Sequence, residues 1–78
     1  MTLSELKPNQ AAIISAITHP DAALVSRILA LGIVPGEVLK VLNIAPMGCP
    51  MQVLVGDTFV SIRRADAAHI ELQGKEKA

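Results

Sequence analysis

The 78-residue chain contains no tryptophan and no tyrosine, and Phe59 is its only aromatic side chain. Single-stranded nucleic acid is held by stacked aromatics, and proline-rich peptides lie in aromatic-lined grooves. Both roles lose their usual contact surface here. Net charge is also absent, because seven Lys and Arg offset seven Asp and Glu. A neutral chain exerts no general pull on a phosphate backbone, so no nucleic-acid partner is expected. Cysteine is nearly missing. The single Cys49 has no internal disulfide partner, which suits a reducing compartment. Apolar runs stop far short of the roughly 18 residues a membrane span needs. The opening MTLSELKPNQ carries Glu5 and has no apolar centre, so it does not read as a signal peptide. The expectation is a cytoplasmic chain with no direct membrane insertion.

What is present is small and aliphatic. Apolar residues make up 51% of the chain, and eleven of them are alanine. A chain this short forms one domain and buries only about 60% of its unfolded surface. Its core is thin and leaves no room for a deep cleft. One domain over residues 1–74 is expected, with a charged tail at 75–78.

Punctuation divides the chain clearly. Lys7-Pro8-Asn9-Gln10 signals a turn. AAIISAIT (11–18) is short, apolar and isoleucine-rich, so it reads as a strand. THPDAALVSRILALG (18–32) reads as a helix, with Thr18 and Asp21 at capping-box spacing, Pro20 in the first turn and Gly32 closing it. Leu24, Val25, Ile28, Leu29 and Leu31 form its apolar stripe, with Ser26 and Arg27 on the other side. Pro35-Gly36 fits a type II turn. Strands follow at 38–44, 51–55 and 58–62, the last two joined by Gly56-Asp57 as a two-residue hairpin loop. Residues 63–68 form a short turn, and HIELQ (69–73) alternates with Ile70 and Leu72 inward. Five short strands leave two open edges unless the sheet closes. A mainly β fold follows, a small five-stranded SH3-like barrel with one helix inserted after the first strand and covering one side.

No catalytic constellation is visible, so the chain is not expected to be an enzyme. His19 and His69 stand fifty residues apart, and neither has a nucleophile and carboxylate beside it in sequence. Both read as surface histidines. LGIVPG lacks the Lys-Ser/Thr of a phosphate loop. The segment IAPMGCPMQV places Met47, Cys49 and Met51 within five residues. Thiolates and thioethers select Cu(I), but one cysteine is a weak metal signal. The simpler reading packs Met47 and Met51 as gap-fillers and leaves Cys49 partly exposed. Arg63-Arg64 is the one adjacent like-charged pair inside the folded part. It reads either as a solvated strand end or as a contact for an acidic or phosphate-bearing partner.

The order of motifs resembles the FeoA family, ferrous iron transport protein A. The resemblance rests on Ile28, Leu31-Gly32, Pro35-Gly36, Ala45-Pro46, Gly48, Pro50, Arg63 or Arg64, Ala67 or Ala68, and Ile70, and covers residues 3–72. Gly is commoner in the family at Asn9, and Asp at Cys49. The glycines and prolines (Gly32, Pro35, Gly36, Pro46, Gly48, Pro50) therefore read as structural turns, and the sulfurs as incidental. The resemblance implies a non-catalytic, SH3-like accessory protein of bacterial Fe(II) uptake. Its implied partner is FeoB, the membrane permease with a cytosolic GTP-binding domain. The expected contact surface is the helix with loop 45–50, using Arg27, Leu31, Ile33, Met47 and Cys49, with Arg63 and Arg64 as further basic contacts. No cofactor is required. One alternative is a transition-metal sensor or chaperone for Fe, Zn or Cu built on Cys49 with His19, His69 or a carboxylate. Another is a scaffold that dimerises as a weak homo-oligomer.

Overall fold

The computed structural model describes residues 1–47 and 49–75. A 3₁₀ turn at Leu3–Glu5 precedes strand β1 (Ala11–Ile17), and helix α1 (Ala22–Ala30) follows it. Strands β2 (Val38–Ile44), β3 (Met51–Val55) and β4 (Thr58–Ile62) run as a meander. A helical turn, α2 (Arg64–Ala67), leads into β5 (Ile70–Lys75). The sheet order is β4-β3-β2-β1-β5, with every neighbouring pair antiparallel. All five expected strands are present, and the helix lies after the first. Gly48 and residues 76–78, expected as a turn position and as part of the tail, lie outside the described residues.

Alternation sets which face is buried. On β3, Met51, Val53 and Val55 point inward and Gln52 outward, as period-2 patterning requires. Gly56 takes φ +59° at the first central position of the β3–β4 turn, where a two-residue hairpin accepts glycine. Register shifts interrupt β1–β5 between Ala12 and Ile13 and between Ile14 and Ala16, and β2–β3 between Val41 and Asn43. Such bulges sharpen twist and curl a sheet. The curled face holds Ile14, Leu39, Val41, Met51, Val53 and Ile70, all essentially inaccessible.

The N-terminus contributes more than its sequence suggested. Leu3 and Leu6 are buried to 0% and 1% exposure. The turn is tied by the Thr2 N–H, which donates to the Glu5 carboxylate at 2.8 Å. Met1 and Thr2 then run along the outer side of β5: Thr2 bridges to Glu71, and the Leu72 N–H donates to the Met1 carbonyl at 2.8 Å. Asn9 sits at φ +70° and donates its N–H to the Val41 carbonyl at 2.7 Å.

Helix α1 differs from expectation in two ways. Its cap is Asp21, whose side chain accepts from the Ala23 N–H at 2.9 Å, and Thr18 and Pro20 precede the helix rather than opening it. Thr18 instead binds the residue before β5, donating through its N–H and its hydroxyl to the His69 carbonyl at 2.8 and 3.2 Å. Secondly, the apolar stripe is not buried as a unit. Ile28 alone is buried, Leu24 and Val25 are half-buried, and Leu29 and Leu31 are 38% and 40% exposed. The helix has no extensive contact with any strand. Leu3, Leu6, Ile33 and Ala67, all outside the strands, join Ile28 in the core and cover the sheet that α1 was expected to cover. The Pro35-Gly36 turn is as read: Gly36, at φ +97°, donates to the Ile14 carbonyl at 2.8 Å. A side chain is strained at that φ, which is why glycine is needed there.

Candidate functional site

The surface around α1 begins with Arg27, exposed in the last helical turn. Lysine or arginine there complements the negative end of the helix dipole. Leu31, the helix C-cap, is exposed one turn on. Ile33 is not available to a partner. It is 0% exposed and belongs to the core, so its expected contact role is withdrawn. The chain turns inward immediately after Gly32, whose φ of +96° ends the helix, and this delivers Ile33 beneath the sheet.

Loop 45–50 carries the second set. Met47 is 89% exposed, so it fills no gap in the core, whereas Met51 is 1% exposed and does. Cys49 is an exposed free thiol. An exposed methionine is a flexible, polarisable contact group suited to an adaptable interface. Helix α1 leads into the start of β2 and loop 45–50 leaves its end.

The two adjacent arginines diverge. Arg63 is exposed in extended conformation just beyond β4, at φ −70° and ψ 144°. Arg64 begins α2 and lines a hollow of about 210 Å³ with Ser4, Glu5, Leu6, Lys7, Ile44 and Met51. The Glu5 carboxyl is held below its ordinary value of 4.5, chiefly by accepting the Thr2 backbone N–H and then its side-chain hydroxyl. It is therefore ionised at neutral pH beside that hollow.

His19 and His69, distant in sequence, are neighbours in space. Their rings lie 4.4 Å apart, centroid to centroid, and are tilted by 59°. The pairing follows from the β1–β5 register, which sets Ile17 opposite Ile70 and brings the residues beyond each end together. No spacing in the sequence signals it. His19 Nδ1 accepts the Asp21 N–H at 3.0 Å, which engages that nitrogen in holding the helix start. Among the described residues, no three of His, Cys, Asp and Glu gather into a metal-holding group. The expected set of Cys49, His19 and His69 is thus not assembled, and only the two histidines meet.

One surface feature went unread in the sequence. Phe59 is 75% exposed on β4, beside a groove of about 250 Å³ lined by Leu42, Gln52, Val53, Phe59, Val60 and Ser61. The available signal was parity: Phe59 falls on the outward phase of a strand whose Val60 and Ile62 face inward.

A family model described as the FeoA domain matches residues 1–73. A Porphyromonas gingivalis protein, described as an Fe(2+) transport protein A/Fe(2+) transporter FeoB fusion, is 37% identical over 73 residues. The match covers 94% of this chain and 8% of that protein. The solution structure of FeoA from Chlorobium tepidum superposes with a TM-score of 0.85 at 36% identity, covering 92% of this chain and 68% of that one. The crystal structure of Stenotrophomonas maltophilia FeoA complexed with zinc, described as an SH3 domain protein, gives 0.81 at 32% identity. That match covers 94% of this chain and 89% of the other. With a family match across nearly its whole length and the same five-stranded fold, the chain belongs to the FeoA family.

Proposed function

We propose that this chain is a non-catalytic accessory domain of ferrous iron uptake that docks on the cytosolic part of FeoB and modulates its transport or GTP hydrolysis. The observation that carries the reading is the fusion relative, in which a segment similar to this chain is joined covalently to an Fe(2+) transporter. A covalent link holds two modules at an effective concentration of order millimolar. Contact between two such modules needs an exposed surface on each. This chain offers candidates in Arg27 and Leu31 on α1 and in Met47 and Cys49 on loop 45–50, all exposed. Arg63 and Arg64 add positive charge for an acidic or phosphate-bearing surface. Among the described residues no helix is long and apolar enough to cross a membrane.

The test is Fe(II) uptake in cells carrying FeoB and either the parent chain or a triple variant, Arg27→Ala, Met47→Asp and Cys49→Asp. All three positions are exposed, so circular dichroism and thermal melting of the variant are expected to match the parent. Uptake is expected to fall several-fold. Uptake equal to the parent contradicts this surface.

A further inference from the structure

The two edges of the sheet are treated differently. The outer side of β5 is covered by Met1 and Thr2, through the bridge to Glu71 and the Leu72 N–H bond. Strand β4 ends the order, and no strand among the described residues pairs with its far side. Natural edges are blunted by lysine, proline, bulges or a covering segment. Strand β4 reads Thr-Phe-Val-Ser-Ile and has neither charge nor proline. Its register with β3 runs unbroken from Met51↔Ile62 to Val55↔Thr58. On this straight, uncharged edge stands the exposed Phe59.

We propose that β4 is a self-association surface: two copies of this chain pair antiparallel through β4 about a twofold axis at Val60, continuing the sheet from one copy into the next. The charges support this occupant. With Val60 opposite Val60, Asp57 of each copy lies opposite Arg63 of the other, since both stand three residues from the centre. Both side chains are exposed, and the extended backbone at Arg63 prolongs the strand. Twofold symmetry makes the ion pair twice. The backbone supports the same register. In a hairpin closed by Val55 and Thr58, bonded residues alternate, so Thr58, Val60 and Ile62 face β3 while Phe59 and Ser61 turn their N–H and C=O outward. Centring on Val60 sets Phe59 opposite Ser61, joining outward-facing residues to outward-facing residues. The side chains agree as well. Phe59 of the second copy stands beside Ser61, at the rim of the groove that Leu42, Gln52 and Ser61 help to line, and its exposed ring gains cover. Zero net charge leaves no general repulsion between copies. A single strand pair is a small interface, so the dimer is weak. A strand from an unrelated protein would find the same edge but not the self-complementary charges.

Sedimentation equilibrium of the full chain between about 10 µM and about 1 mM, the range of a small interface, tests this. A monomer–dimer equilibrium is expected. Asp57→Arg and Arg63→Asp each raise Kd about tenfold by placing like charges opposite one another twice, and Phe59→Ala raises it too. The double variant Asp57→Arg/Arg63→Asp returns Kd to within about threefold of the parent, because the pairs re-form reversed. If Asp57→Arg disturbs the turn, Arg63→Asp carries the test from outside it. A chain that stays monomeric at about 1 mM, or a dimer indifferent to both charge changes, overturns the proposal. So does a monomer that binds only foreign strands at this edge. The outcome is independent of whether FeoB is the partner.

Discussion

At the level of single residues, the fold depends on a few positions where side-chain chemistry meets an unusual backbone. Asn9 is the clearest. It holds φ +70° and anchors its turn to β2 through the 2.7 Å bond to the Val41 carbonyl. Asparagine tolerates the left-handed region, glycine does so better, and a β-branched residue does so poorly. Asn9→Val is therefore expected to destabilise by about 1–2 kcal/mol, whereas Asn9→Gly is within about 0.5 kcal/mol of the parent. Urea unfolding of the three proteins measures both. Equal stability of Asn9→Val and the parent contradicts the strained turn. At this scale the sequence was readable where geometry is local. Gly32, Gly36 and Gly56 were recognised from their turns, and each has positive φ. It misled where burial is decided by distant chain. Ile33 lies next to a turn, the usual place for an exposed residue, yet the curl of the sheet encloses it. Met47 and Met51 look alike in sequence, and only the strand phase of Met51 brings it inside.

Among the elements, α1 is the weak member. Nine residues lie below the length at which a helix is stable alone in water. It is held by the Asp21 cap, by Gly32 at its end and by one buried side chain, Ile28. The strands share a continuous core. Native-state hydrogen exchange should therefore show α1 amides opening at lower free energy than those of β1, β2 and β3. Ile28→Ala should cost about 2–4 kcal/mol, and Leu29→Ala less than about 1 kcal/mol, since Leu29 is 38% exposed. Similar costs at the two positions would mean that the helix packs differently. The stripe from Leu24 to Leu31 revealed that a helix forms. It did not reveal how little of that stripe is buried, because Leu3, Leu6 and Ile33 compete for the same core. The β1–β5 pairing was equally hidden. No local signal connects Thr18 and His19 with His69, although strand register joins them.

Over the whole molecule, the fold concentrates order in the sheet, and among the described residues three features stand exposed: the outer side of α1, Met47 with Cys49, and the β4 edge. The first two were expected from the resemblance to FeoA, and the third emerged only from the sheet order. The proposed role uses this division, with the sheet as scaffold and the exposed groups as contacts. In the proposed function, α1 and loop 45–50 engage FeoB. A two-dimensional amide NMR titration of the labelled chain with the soluble GTP-binding domain of FeoB tests it most directly. Shifts are expected in residues 22–31 and 45–49, with the amides of β3 unmoved. A spectrum unchanged at saturating partner, or shifts confined to β4, would contradict it.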